Sequence, residues 1–216
     1  MGLLVKNLEI INNNNSPLFP ALTFTINPGE ILTLMGPSGC GKSSLLNAIA
    51  GHLDSDFLYR GECYLNGLLV NNISPEKRNI GILFQDDLLF PHLTVWENLA
   101  IALPNTVKKS QRKQQALQTL KDLDLLSLAN KAPDQISGGQ RARISLMRML
   151  LAEPAAVLLD EPFSKLDKSL RQSFRNWVFS EIKKRNLPML MVTHDQSDVP
   201  QGSQCLDWPW IQAVES

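Results

Sequence analysis

Five residues of almost unbroken apolar character, Ile31 to Met35, run into Gly36-Pro37-Ser38-Gly39-Cys40-Gly41-Lys42-Ser43-Ser44, after which Leu45, Leu46 and Ile49 recur at helical spacing. A chain that passes from a strand covered on both faces, through three glycines, straight into a helix has few ways to fold. The turn must bring successive backbone N–H groups into one hollow, where side chains at Gly36, Gly39 and Gly41 would obstruct. Donors gathered at a helix N-terminus attract phosphate. Lys42 can reach the β- and γ-phosphates of a nucleotide as a point charge, and the Ser43 hydroxyl can ligate Mg²⁺. The stretch is a P-loop, G-x-x-x-x-G-K-[ST], and all nine residues from Gly36 to Ser44 are nucleotide-binding candidates. Such a pattern arises by chance in about one chain in a hundred of this size, but a strand before it and a helix after it argue against chance.

With 216 residues the chain can bury a substantial core as one domain with a subdomain. Lys+Arg 21 against Asp+Glu 21 leaves a formal net charge of +0, so no global field draws it to nucleic acid. Cys40, Cys63 and Cys205 are too few and too scattered for a disulfide framework, which points to a reducing cytosol. Cys63 and Cys205 read as small core residues, whereas Cys40 lies in the cradle, where N–H donors favour a thiolate. No apolar run approaches the roughly 20 residues of a membrane span, and the N-terminus lacks a basic segment followed by a hydrophobic block. Work at a membrane would require tethering by partners.

Taken in order, Leu3 to Ile11 alternates as a strand, Asn12 to Pro20 is a turn-rich loop, and Leu22 to Ile26 is a second strand. Gly61 to Leu65 and Leu68 to Val70 form a hairpin through Asn66-Gly67. Ile80 to Phe84 is a buried strand. After Gln85 the pattern turns helical: Thr94 to Glu97 is a capping box opening a helix that Pro104 stops, and from Ser110 the residues Leu117, Leu120 and Leu123 share one helix face. Ser137 to Leu151 is helical, Ala156 to Leu159 is a strand, and Asp167 caps a helix whose inward stripe is Leu170, Phe174, Trp177, Val178 and Ile182. Met189 to Val192 is the last clear strand. Trp208, Pro209 and Trp210 are expected to cover the core.

Two stretches carry further chemistry. Val157-Leu158-Leu159 ends in Asp160-Glu161, and the carboxyl ends of parallel strands collect the ligand, so both acids are expected beside the cradle. Asp160 is placed to hold Mg²⁺ and Glu161 to orient and polarise an attacking water; the plainer alternative is an acidic turn at a helix start. Ser137-Gly138-Gly139-Gln140 is a second small-residue turn opening a helix, either another anion site or an ordinary cap.

The order and spacing of Gly36 to Ser44, Gln85, Ile136 to Gln140, Asp160-Glu161, Asp167 and His194 resemble the ABC ATPase family over essentially the whole chain. The resemblance implies an α/β fold, a P-loop NTPase core of mixed and parallel sheet formed by residues 1–85 and 154–216, with an α-helical subdomain over about 86–153 inserted in this single domain. It implies that Ser137, Gly138, Gly139 and Gln140 are the signature contacting the ATP of a partner chain, with Ile136 where Leu is more usual. Gln85 matches the glutamine loop that contacts Mg²⁺ and relays to a transmembrane partner. Ser164 to Asp167 match the loop that crosses the dimer seam, with Lys165 where Ala is usual, and His194 matches the switch histidine at the γ-phosphate. Glu161, His194, Gln85 and Lys42 are thus the implied catalytic set, and Ser43, Gln85 and Asp160 the implied Mg²⁺ contacts. The likeness is to importer subunits: an ATPase homodimer joined to transmembrane permease subunits and a solute-binding protein at the cytoplasmic face of the bacterial inner membrane, with no nucleic-acid partner. Export, or an ABC ATPase outside transport, are the alternatives. Two departures from the family pattern stand out. No aromatic closes the first strand to stack on adenine, Phe19 being the nearest substitute, and after His194 too little chain follows for the regulatory domain of some importer ATPases.

Overall fold

The computed structural model describes residues 2–86 and 88–210. The elements are β1 (Leu3–Asn12), β2 (Leu22–Ile26), β3 (Ile31–Met35), α1 (Lys42–Ala50), β4 (Phe57–Leu65), β5 (Leu68–Leu69), β6 (Ile80–Leu83), α2 (Val95–Ala102), α3 (Lys109–Asp122), α4 (Gly138–Leu151), β7 (Ala156–Asp160), α5 (Lys168–Lys184), β8 (Met189–Thr193) and β9 (Gln204–Asp207).

Residue pattern sorts the strands into two sheets. Strands in which buried and exposed positions alternate build an antiparallel sheet in the order β2-β1-β4-β5, and the near-continuous apolar runs β6, β7, β8 and β3 build, with the polar-ended β9 at the edge, a parallel sheet in the order β6-β7-β8-β3-β9. Alternate residues of the parallel sheet serve two cores. Ile31, Val157, Leu159, Met189 and Met191 pack with the helices α2 to α5. Leu32, Leu34, Leu158, Leu190 and Val192 pack on the other face with α1 and the antiparallel sheet.

The hairpin turn is as expected: Leu65 pairs with Leu68, and Asn66 and Gly67 take φ of 52° and 84°, the left-handed pair a tight hairpin demands. Its first strand starts earlier than the residue pattern suggests, at Phe57, because Phe57 to Arg60 pair with Glu9 to Asn12 beyond a bulge that shifts the β1 register between Lys6 and Glu9. At that bulge Asn7 and Gly61 both take positive φ, which interrupts the alternation. Thr94 and Glu97 make the capping box, Glu97 Oε2 accepting from Thr94 N at 2.8 Å. The stripe of α5 is narrower than expected: Phe174, Val178 and Ile182 are buried, but Leu170 is 41% exposed because the first turn of α5 lies above the core. Strand β9 is not foreseen. It is a short edge strand beginning and ending in polar residues, and it pairs with β3 alone.

The P-loop is held from below by the C-terminal aromatics. Trp210, 2% exposed, donates from Nε1 to the Met35 carbonyl at 2.7 Å and meets Phe19 and Trp208 edge to face, with centroids at 5.2 Å and 4.7 Å. At the far end of α1 the buried Arg78 guanidinium donates to the carbonyls of Ala48 and Ile49, which satisfies groups the helix C-terminus leaves open. Truncating Trp210 to Ala is expected to cost about 3 to 5 kcal/mol. That loss would appear as a lower urea midpoint at an unchanged slope; a midpoint equal to that of the native sequence would show that Trp210 does not support the loop.

Candidate functional site

Strands β6, β7, β8 and β3 are neighbours and run in one direction, so their carboxyl ends lie side by side. Register makes them nearly flush: Asp160 pairs with Val192, and Met35 with Thr193. Gly36 follows β3, Asp160 closes β7, His194 follows β8 and Gln85 lies just beyond β6. An open parallel sheet binds ligands in this crevice.

Within the P-loop, Gly41 is the N-cap of α1 with φ 95°, a conformation L side chains rarely adopt, and a Cβ there would lie 3.0 Å from the Phe19 ring. Around Gly39, φ 82°, nothing lies within 4 Å of a Cβ position, so this part of the hollow is open. Gly36 is needed for contact: a Cβ would lie 2.9 Å from Cys40 Sγ and 3.3 Å from Trp208 Cβ. Pro37, Ser38 and Gly39 are exposed at the rim, as is Ser43 at the start of α1, while Ser44 is half-buried. Lys42 is 6% exposed and donates from Nζ to the Gly36 carbonyl at 2.7 Å and the Pro37 carbonyl at 2.9 Å, folding back over the loop.

The two acids meet this hollow from β7. Asp160, 7% exposed, is hydrogen-bonded to Ser43. Burial pushes its carboxyl above the ordinary carboxylate range; the Ser43 bond pulls it back, Glu161 pushes it up again and Lys42 pulls it down. Glu161 leaves the strand in the left-handed region, φ 46°, a strained conformation for a non-glycine residue. Its Oε1 lies 3.9 Å from Lys42 Nζ and 2.9 Å from His194 Nδ1. The second of these is a hydrogen-bond distance, so the imidazole and the carboxyl group are direct partners. Gln85, exposed, lines one small cleft together with Phe84, Glu161, Ser164 and Lys165.

Ser137 to Gln140 form a second locus. Ser137 Oγ accepts from Gln140 N at 3.3 Å and Gln140 Oε1 accepts from Ser137 N at 3.0 Å, a reciprocal cap that fixes the start of α4. The loop leading to Asp167 packs here: a Cβ on Gly139 would lie 3.1 Å from Leu166 Cδ2. Asp167 caps α5, its Oδ1 accepting from Leu170 N at 3.0 Å. The structure therefore gathers Lys42, Ser43, Asp160, Glu161 and His194 into one hollow, sets Gln85 at its side, and places the turn 137–140 beside the loop that leaves it.

Phe19 is not a stacking platform. It is 3% exposed, its ring wedged between Gly41 and Trp210. Arg171, Asp195 and Asp198 form an ionic cluster beside His194 to which the residue pattern assigns no role. Its only sequence signal is two acids closely following a histidine, which is uninformative without the partner arginine.

The model of the family described as ABC transporter matches residues 19–164. The chain belongs to this family. Over 205 residues the cassette is 46% identical to the uncharacterized ABC transporter ATP-binding protein YnjD of Escherichia coli, covering 95% of this chain and 94% of the relative. It is 40% identical to the spermidine/putrescine import ATP-binding protein PotA of Legionella pneumophila, over 85% of this chain and 50% of that one. Against the maltose/maltodextrin import ATP-binding protein MalK of Mannheimia succiniciproducens the identity is 43%, over 81% and 46%. The cassette thus spans about half the length of these two import proteins. Among solved structures it matches a dimeric post-hydrolysis state of the ATP-binding cassette MJ0796 bound to ADP and Pi, with TM-score 0.81 and 27% identity over 95% of this chain and 93% of that one. The expected α/β P-loop fold and importer-type likeness are borne out, and the cassette is an ATP-binding ATPase.

No cluster of three or more His, Cys, Asp or Glu able to hold a metal occurs among the described residues. Mg²⁺ needs none here, since it keeps several waters and takes one or two protein oxygens beside substrate phosphates. The bonded pair of Ser43 and Asp160 is hard-oxygen chemistry that fits it. A carboxyl whose pKa is raised on folding favours the folded state below its unfolded pKa, and that contribution is lost as pH rises through the folded one. Removing the charge with Asp160→Asn is therefore expected to stabilise the nucleotide-free cassette at neutral pH, by a margin that shrinks on acidification. Thermal unfolding across the carboxylate titration range would check this; a variant less stable at neutral pH would overturn it.

Proposed function

We propose that the cassette is the ATP-hydrolysing subunit of an importer, working as two copies that close around two ATP molecules beneath a membrane permease. The observation that carries this reading is the convergence of Lys42, Ser43–Asp160, Glu161 and His194 at one sheet edge. Lys42 would exchange the Gly36 and Pro37 carbonyls for the β- and γ-phosphates, and the amides of residues 36–44 would hold the remaining phosphate oxygens. Ser43 and Asp160, with Gln85 at the side, would hold Mg²⁺, which would neutralise phosphate charge. Glu161 would accept a proton from the attacking water, and His194, turned from Glu161, would donate to the γ-phosphate.

The turn 137–140 lies with the seam loop, which fits a role in completing the site of a second copy. The dimeric state of the MJ0796 neighbour supports this arrangement. Hydrolysis would remove the shared ligand and let the copies part. Residues 1–85 and 154–216 would form the nucleotide-binding core and 86–153 the helical subdomain. At their junction an open groove lined by Phe84, Leu88, Phe90, Ile101 and Met149 leaves Leu88 and Ile101 each 58% exposed. Apolar area presented in this way fits the docking of permease subunits, with Gln85 beside it to relay closure. None of the described helices is long and apolar enough to cross a membrane, so attachment at the cytoplasmic face would come through those subunits. The import proteins among the relatives favour uptake, with a solute-binding protein as a further partner.

Glu161→Gln is expected to lower ATP turnover about a hundredfold or more, since positioned general bases contribute about 10² to 10⁴. With Mg-ATP the variant should elute as a dimer in size-exclusion chromatography. Hydrolysis at the native rate would remove Glu161 from its proposed role.

A further inference from the structure

Arg171 stands in the first turn of α5, four residues beyond Asp167. Its guanidinium forks onto Asp198, with Nε to Oδ1 at 3.0 Å and Nη2 to Oδ2 at 2.6 Å, and Nη1 reaches Asp195 Oδ2 at 2.9 Å. Asp198 is 1% exposed, and its Oδ2 also accepts from Thr193 Oγ1 at 3.3 Å. Arg175, one turn further along α5, lies 3.5 Å from Asp198 Oδ1 and donates to the Ser197 carbonyl. The turn itself is stitched together: Asp195 N donates to Thr193 Oγ1 at 3.1 Å, and Asp195 Oδ1 accepts from Ser197 N at 2.9 Å.

These bonds fix the backbone on both sides of His194 and leave the imidazole its own two torsions. The 2.9 Å approach of His194 to Glu161 is therefore set by α5 as well as by β8. Helix α5 begins where the seam loop ends, and that loop carries Ser164 and Lys165, which share a cleft with Glu161 and Gln85. A buried carboxylate stripped of its partner is costly, so Arg171 and Asp198 move together or not at all. A planar fork transmits orientation as well as charge. From this geometry we infer that Arg171, acting through Asp195 and Asp198, is a positioning residue for His194 and makes the histidine's placement depend on the seam loop. The inference rests on the proposed role of His194 at the γ-phosphate.

The test is steady-state ATP hydrolysis by the full chain. Arg171→Gln is expected to lower kcat about 10- to 100-fold, the scale of a 1 Å misplacement, while KM for ATP changes less than about twofold. Arg171→Lys should fall between, since an ammonium keeps the charge and loses the fork. Combining Arg171→Gln with His194→Ala should be no slower than His194→Ala alone beyond about twofold, because both remove one contribution. Asp195→Asn, at a more exposed position, should show the same pattern and serves if Arg171→Gln does not fold. Native kcat in a folded Arg171 or Asp195 variant, or a double variant whose losses multiply, would overturn the inference while leaving His194 in place. A His194→Ala chain with native turnover would overturn the role of His194 and this inference with it.

Discussion

A nucleoside triphosphate is held where donors and cations converge, and in this cassette donors and a cation meet at the flush ends of neighbouring parallel strands. The register pairs Asp160 with Val192 and Met35 with Thr193, so groups leaving β3, β7 and β8 enter one hollow without long loops to reach it. A slip of one residue in β7 would exchange the faces of every side chain along it, burying what now points to the other core. Chemistry at this edge is therefore only as well placed as the core pairs beneath it, Val157 and Leu159 on one face and Leu158 on the other.

Support for the loop comes from sequence far away. Gly36 lies against Trp208, Gly41 against Phe19, and Trp210 binds the carbonyl of Met35. The loop is thus packed between an N-terminal aromatic and two C-terminal ones, which limits how far its amides can wander before ligand arrives. Preorganisation of donors lowers the ordering cost of binding and keeps dipoles aimed where charge will sit. Phe19 serves in that packing and, being 3% exposed, has no free face for a base.

What could be read from residues alone was whatever is local in sequence. The P-loop, the Thr94 and Asp167 caps, the Asn66-Gly67 turn and the apolar strands each announce themselves within ten residues, because backbone conformation and burial pattern are short-range. Strand β9 escaped for lack of pattern, being an edge strand whose end residues are polar. Leu170 was misplaced because helical periodicity says which residues share a face and not where along the helix the core stops. The Arg171 cluster escaped for a different reason: its partners lie 27 residues apart, and ion pairs leave no periodic trace.

The hollow holds two carboxyl groups, one raised by burial, around a lysine that is itself occupied by backbone carbonyls. Such a cluster is worse for folding than apolar residues of the same size would be, as expected where a site is shaped for its ligand instead of for stability. The Glu161–His194 contact at 2.9 Å gives each a partner, while Glu161 still pushes the Asp160 carboxyl up. On the proposed reading, ATP would offer anions to Lys42 and Mg²⁺ a cation to Asp160. Lys42 Nζ and His194 Nδ1 flank Glu161 Oε1 at 3.9 Å and 2.9 Å. Helix α5, which begins where the loop 164–167 ends, is tied through Arg171 to the turn that carries His194, so the contact His194 makes with Glu161 depends on packing outside the hollow.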